Sequence, residues 1–241
     1  MKDSMRKYFL YALGEIVLIT LGILIALQIN SWSQERTDRK LEIVFLNRLL
    51  DDLESDVATF SAEVEAGNQG LDAIKEAVLL MDRIDSEEKL IEFNKLYDIT
   101  FMVSLSPHYA TYHELESTGK LNIIKSDALR SAIQDHYVFY ERMEDEFAHH
   151  AWYRKSVARV MDAESMVLKY AGGVDQLFPP ERRRPRDWAF FQDPDHPEYR
   201  KTEIALAAGG WLLNYDLSLY ELLLERIEAL QEDIRNELEA L

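Results

Sequence analysis

The chain opens on an apolar run. Tyr8 to Asn30 reads YFLYALGEIVLITLGILIALQIN, and Glu15 is its single charged residue. At ~1.5 Å per residue a helix over this run spans about 35 Å, enough to cross a hydrocarbon core of about 30 Å. Tyr8, Tyr11 and Trp32 lie near its ends, where amphipathic rings prefer the interface. Gln28, Ile29, Asn30 and Ser31 lead into further helical pattern rather than a small-x-small cleavage site, so the run reads as a retained signal anchor within residues 1–33.

Beyond Gln34 the spacing becomes amphipathic. Leu41, Phe45, Leu49, Leu53, Val57, Phe60 and Val64 recur at steps of three or four, which predicts a helix continuous with the anchor. Asp51, Asp52, Glu54, Asp56, Glu63 and Glu65 mark the other face, which reads as solvated. Gly67 and Gly70 are expected to break the chain before a helix over Leu71 to Ile84. Ser86 suits the N-cap of a short helix from Glu87 to Tyr97. Phe101 to Pro107 breaks helical spacing and suits a buried crossing segment. A short helix from Tyr109 closes at Gly119, and Ser126 caps a long one from Asp127 to Tyr170. That helix carries its apolar set at Leu129, Ile133, Tyr137, Tyr140, Phe147, Val157, Val160 and Met161. Residues 34–170 thus form one predicted helical bundle.

Residues 171–210 read as an irregular loop rich in Pro and Arg, and residues 211–241 as a heptad helix. The heptad seam runs through Leu213, Leu217, Tyr220, Leu224, Ile227, Gln231, Ile234, Leu238 and Leu241. Such a seam suits a coiled coil between copies, and equally a helix folded back into its own bundle. No long strand alternation interrupts these patterns. The expected fold is all-α: an N-terminal transmembrane helix continuing into an elongated extramembrane bundle, with a C-terminal helix resembling a coiled coil.

Charge narrows the partners. With 27 basic and 44 acidic residues the net charge is −17, which argues against nucleic acid. The absence of cysteine removes disulfides, thiolate metal sites and cysteine nucleophiles. Lys2, Arg6 and Lys7 precede the anchor while Arg36, Arg39, Lys40 and Arg48 follow it, so a count of cations does not decide orientation. Long domains translocate largely regardless of charge, and the expectation is a short cytoplasmic N-terminus with the acidic body outside.

Few residues carry recognisable chemistry. Glu146-Phe147-Ala148-His149 is one Glu-x-x-His, whereas a di-iron bundle needs two with two further Glu. His149 and His150 are neighbours on different faces, which suits zinc poorly. Asp193-Pro194-Asp195-His196 reads as a turn with Asp caps before it reads as a ligand set. His108, Tyr109, Tyr112, His113 and Glu114 form a polar-aromatic group that reads as core before it reads as a pocket wall. Arg182, Arg183, Arg184 and Arg186 could contact an anion or lipid, or lie on the acidic bundle. No phosphate loop or nucleophile elbow is present, and no cofactor or metal is expected.

Glu15 departs from these bland readings. An acid inside a membrane helix costs roughly 2.5–3.5 kcal/mol at mid-helix and is a functional candidate. Glu15, Ile19, Gly22, Ala26 and Asn30 share one narrow face, which joins an acid, a Gly-x-x-x-Ala motif and an Asn. Such a face suits helix association, or a pore.

Tyr11 to Ile16 (YALGEI), Gly22 to Asn30 (GILIALQIN) and Trp32 resemble the N-terminal hallmark of a family of bacterial single-span membrane proteins with a domain of unknown function, common in Bacteroidota. Leu49 to Asp56 (LLDDLESD) and Ser117 to Lys125 (STGKLNIIK), leading to Leu129-Arg130 and His136-Tyr137, fit the same family. The resemblance implies a bacterial membrane anchor with a helical body, and names no activity. Together these features lead to the expectation of a non-enzymatic, membrane-anchored homo-oligomer. It would act as a sensor, scaffold or assembly factor at the bacterial inner membrane, with the lipid bilayer and a possible further protein as partners. The alternative is an oligomeric ion channel with a pore lined by Glu15.

Overall fold

The computed structural model describes the backbone of residues 2–99, 105–162 and 188–241, and the side chains of those residues except 2–13, 16–17, 97–99 and 154–162. Five α-helices and two 3-10 turns make up the described secondary structure, with no strand among the described residues. The fold is all-α. Helix α1 spans Lys2–Met81, 80 residues, which corresponds to a rod of about 120 Å. It is followed by α2 (Glu87–Ile99), α3 (Ala110–Ser117), a 3-10 turn at Lys120–Ile123, and α4 (Asp127–Asp162). A second 3-10 turn at Ala189–Gln192 precedes α5 (Pro197–Ala240).

Helix α5 is the centre of the bundle. Ile74 meets Gly210, Gly67 meets Leu217, and Glu54 meets Arg235, so α5 runs antiparallel to α1. His150 meets Asp216 and Phe147 meets Tyr220, so it runs antiparallel to α4 as well. The larger core lies where all three converge. Leu46, Leu49, Leu53 and Phe60 of α1 face Ile133, Tyr137 and Tyr140 of α4 and Tyr220, Leu223 and Ile227 of α5, all buried. A smaller core sits at the far end of α1, where Met81 and Ile84 pack with Phe93, Phe191 and Leu206.

Local signals place several ends as expected. Ser86 Oγ accepts from Lys89 N, and Ser126 Oγ accepts from Leu129 N at 3.2 Å. Gly119 closes α3 with φ +66, a left-handed conformation that a side chain would strain.

Two expectations are corrected, and one open alternative is decided. The break at Gly67 and Gly70 does not occur, and α1 runs through to Met81 instead of yielding a separate helix at Leu71. A Cβ on Gly67 would lie 2.6 Å from Leu217 Cδ2, so this glycine admits a neighbouring helix rather than ending its own. The irregular stretch is shorter than 171–210, because α5 starts at Pro197 rather than Trp211. His196 caps it, with Nδ1 accepting from Glu198 N, and Pro197 occupies the first turn, where its missing N–H has no partner to lose. The C-terminal seam packs inside its own bundle. Leu213, Leu217, Tyr220, Ile227, Gln231 and Ile234 are buried against α1 and α4, and Leu224, Leu238 and Leu241 are partly buried at the same core.

The N-terminal part of α1 is different. From Leu18 to Trp32 every described side chain is exposed. Among the described residues no helix is long and apolar enough to cross a membrane. Part of the apolar run, Tyr8 and Tyr11 included, lies outside the described side chains, as do Val157, Val160 and Met161. Phe101 to Ser104 of the expected crossing segment lie outside the described residues, while Leu105 packs on the larger core.

Candidate functional site

The polar chemistry of the body begins on α1. Periodicity places Asp52 and Asp56 on its solvated face and gives Glu42 no role. Glu42 and Asp56 are in fact fully buried. Asp52 and Asp56 hold the start of α3, a helix too short to satisfy its own first donors. Asp52 Oδ2 accepts from Thr111 N at 3.1 Å and Asp56 Oδ1 from His108 N at 2.9 Å. Tyr109, the N-cap of α3, makes no side-chain cap bond, so the two α1 carboxylates supply from another helix what a local cap would. Glu42 Oε1 accepts from Lys125 N at 2.7 Å, which ties the approach to α4 to the same helix.

Asp56 is the hub. His108 Nδ1 lies 2.7 Å from Oδ1, and the Tyr140 hydroxyl donates to Oδ2 at 2.8 Å. Burial pushes the Asp56 carboxyl above its ordinary range, and the bonds from His108 and Tyr140 pull against that. The same burial, with the Asp56 charge beside it, drives the Tyr140 hydroxyl far up. The His108 ring is 47% exposed while Asp56 is 0% exposed. This Asp–His pair fixes the orientation of an imidazole at the surface. No serine, threonine or cysteine bonds to it among the described residues, and these contain no group of three or more metal-ligating side chains.

Of the expected polar-aromatic group, Tyr112 is buried and Tyr109 partly buried against the larger core, while His108 and His113 are exposed. Tyr112 stacks on Tyr137 with centroids 4.1 Å apart, and Tyr109 donates to Glu144 at 3.0 Å while stacking on His113. Glu114 instead pairs with Arg48 at 2.7 Å, which holds its carboxyl below the usual range. His136 is buried with neither ring nitrogen bonded, beside a cleft of about 300 Å³ between α4 and α5. Burial, then the Arg226 charge, pushes its pKa down to about 3, so the ring is neutral.

The Glu-x-x-His motif resolves differently from its spelling. Glu146 Oε1 lies 3.3 Å from Nε2 of His150, one residue past the motif. His150 Nδ1 lies 2.6 Å from Asp216 Oδ1, and both residues are buried. His149 is exposed and stacks with Trp152. The Glu146–His150–Asp216 chain is a polar staple between α4 and α5. Its sequence signal was a Glu four residues before a histidine, the spacing that shares a helix face. Asp216 had no signal, because it comes from a helix distant in sequence. Asp193 to His196 form the expected turn, with Asp193 Oδ1 accepting from Asp195 N at 3.0 Å.

The anchor-face residues Glu15, Ile19, Gly22, Ala26 and Asn30 are all exposed on α1. A Cβ on Gly22 would meet nothing within 4 Å, so the described part of the body does not cover this face. Arg182, Arg183, Arg184 and Arg186 lie outside the described residues.

A family model described as "Family of unknown function (DUF6090)" matches residues 15–165, which take in most of the apolar run, the Asp56 hub and α4. The chain belongs to that family. No curated protein matches it, and no solved structure does.

Proposed function

We propose that this family member is a membrane-anchored, non-enzymatic helical protein that self-associates and acts as a sensor, scaffold or assembly factor at a bacterial inner membrane, with its acidic body extracytoplasmic. The observation that carries the reading is the exposed apolar stretch of α1. Leu18, Ile19, Leu21, Ile23, Leu24, Ile25, Leu27 and Ile29 are each more than half exposed. Apolar side chains all round a helix belong in an apolar surrounding, and burial of one such side chain is worth roughly 1.5–3 kcal/mol. A contiguous exposure of this size marks an interaction surface. The helix then continues without interruption into the bundle, so an event at the body is mechanically joined to the anchor.

Self-association has support of a second kind. Glu15, Gly22 and Asn30 share a face that no described residue of the same chain covers. Small residues permit close backbone approach, and a protonated Glu or an Asn can bond across helices. Glu15 also supports a second reading, an ion-conducting oligomer, because an ionised carboxylate facing a water-filled axis would attract cations.

The test is extraction and mass. Membranes carrying the full chain are washed at alkaline pH, and the retained protein is weighed in lipid nanodiscs. Retention with a mass above one copy is expected. Release by the wash removes the anchor, and a strict monomer removes self-association. Ser61 is exposed on α1, and the chain has no cysteine. Ser61→Cys should therefore react with a membrane-impermeant thiol reagent on intact cells once the outer barrier is opened. Labelling only after full lysis reverses the orientation.

A further inference from the structure

One patch of this acidic chain is built from cations. Trp32, Arg36, Arg39 and Lys40 of α1, with Lys125 from the connection into α4, line an open cleft of about 590 Å³. It lies immediately after the exposed apolar stretch. Arg36 sits one turn beyond Trp32, and Arg39 and Lys40 follow within the next turn, about 6 to 12 Å further along the axis. Helical side chains lean toward the N-terminus, which here is the direction of the apolar stretch. Headgroup layers are roughly 5–8 Å thick on each side of a bilayer, so long cationic side chains at these positions reach them.

The fifth residue is brought in by the tertiary fold. Lys125 is distant in sequence, and the fully buried Glu42 fixes its backbone, accepting from Lys125 N at 2.7 Å. Glu42 also takes Arg39 at 3.4 Å, a long contact that leaves the Arg39 side chain 42% exposed. Arg36, Lys40 and Lys125 form no ion pair among the described residues, in a chain with 44 acids. Glu35 is the one acid in the lining of the cleft, Glu42 being buried beneath it. Four cations against one lining acid, three of them without a carboxylate partner among the described residues, set up a positive potential suited to an anion. Trp32, 64% exposed, offers a ring of the kind that settles at headgroup depth.

We infer that the Arg36–Arg39–Lys40–Lys125 cleft binds the phosphate group of an anionic membrane phospholipid. Two or more cations converge on the phosphate, Trp32 lies against the glycerol level, and the acyl chains run along the exposed apolar face of α1. Glu42 acts as a positioning residue, since it places Lys125 opposite the α1 cations. The inference rests on the membrane-anchor reading.

The test uses the full chain in nanodiscs of phosphatidylcholine containing a minor share of phosphatidylglycerol, with retained lipids counted by native mass spectrometry. Phosphatidylglycerol should be enriched over its bulk share. Arg36→Gln with Lys125→Gln should lower that enrichment, by roughly fivefold per cation near the surface, while circular dichroism and melting stay unchanged. Arg36→Lys should keep it. Enrichment that persists in the double Gln variant, or retained lipid at the bulk ratio in the unaltered chain, overturns the site. Displacement of the retained lipid by soluble glycerol 3-phosphate would assign the cleft to a free phosphate ester and overturn the lipid assignment. A chain that stays dispersed without detergent or discs would fail the anchor reading. One that enters the discs but shows no preference fails only this inference.

Discussion

Helix α1 contains two regions that both carry large apolar residues and are oppositely buried. Leu18 is 74% exposed and Leu24 56%, while Leu46 and Leu53, further along the same helix, are 0% exposed. The first region is apolar on all sides and has no packed neighbour among the described residues. The second confines its large apolar residues to a stripe and presents acids elsewhere, and α4 and α5 pack on that stripe. Burial within the chain therefore follows the stripe on which α4 and α5 pack, and the more apolar region is the exposed one. The same pairs of residue types recur in both regions, so each pair is an experiment with an internal control.

Leucine gives the largest contrast. Leu53→Ala empties a fully buried site and should destabilise the body by about 2–5 kcal/mol in thermal or denaturant unfolding. Leu24→Ala should shift the same transition by less than about 0.5 kcal/mol. Equal effects would mean that the N-terminal stretch packs on the body after all.

Glycine gives the next. Gly67→Leu must displace the Leu217 side chain and should cost about 1–3 kcal/mol of body stability. Gly22→Leu meets open space within the chain, so it should leave unfolding unchanged while reducing oligomer mass in nanodiscs. An unaltered oligomer in Gly22→Leu would remove the anchor face from assembly.

The acids differ more subtly. Asp56→Asn removes the charge that three donors address and should destabilise by about 1–3 kcal/mol at neutral pH. Because the folded-state pKa of Asp56 is raised, the folded state holds its proton more tightly than the unfolded chain does. Its contribution to stability is complete below the ordinary Asp pKa and declines as pH rises through the raised value. Asp56→Asn should remove that decline, seen as a flatter stability profile above pH 4. A slope unchanged by the substitution would show that the carboxyl titrates normally. Glu15→Gln, in the bare region, should leave body stability and assembly intact, and altered conductance in planar bilayers would favour the pore.

His136 gives the smallest expected effect near neutrality. Its pKa falls from 6.5 to about 3 in the folded state, so the unfolded chain binds the proton first. Stability is intact above pH 6.5 and declines as pH falls toward about 3. His136→Phe keeps an aromatic ring among Tyr137 and Tyr140 and should flatten the acid side of the profile between pH 6.5 and 5. An unchanged profile would mean that the ring is already solvated.

The helices of this protein were legible in its amino-acid order because helical periodicity and capping are local. Leu41 to Val64 announced a buried stripe, and Ser86, Gly119 and Ser126 announced ends, each acting within one turn of itself. The all-α class followed, and so did the polar turn at Asp193. Gly67, Asp56 and His150 could not be read this way. A glycine that ends a helix and one that admits Leu217 are spelled alike. An acid on a solvated face and one capping a helix from across the bundle differ only in what packs against them. The tertiary structure decided these positions because α5 returns antiparallel along both α1 and α4. That return brings Leu217 onto Gly67 and Asp216 onto His150, and the packing it completes closes Asp56 over with Tyr140 and His108. The energy of a close contact or a desolvated carboxylate depends on atoms tens of residues away along the chain, and no window of local sequence contains them.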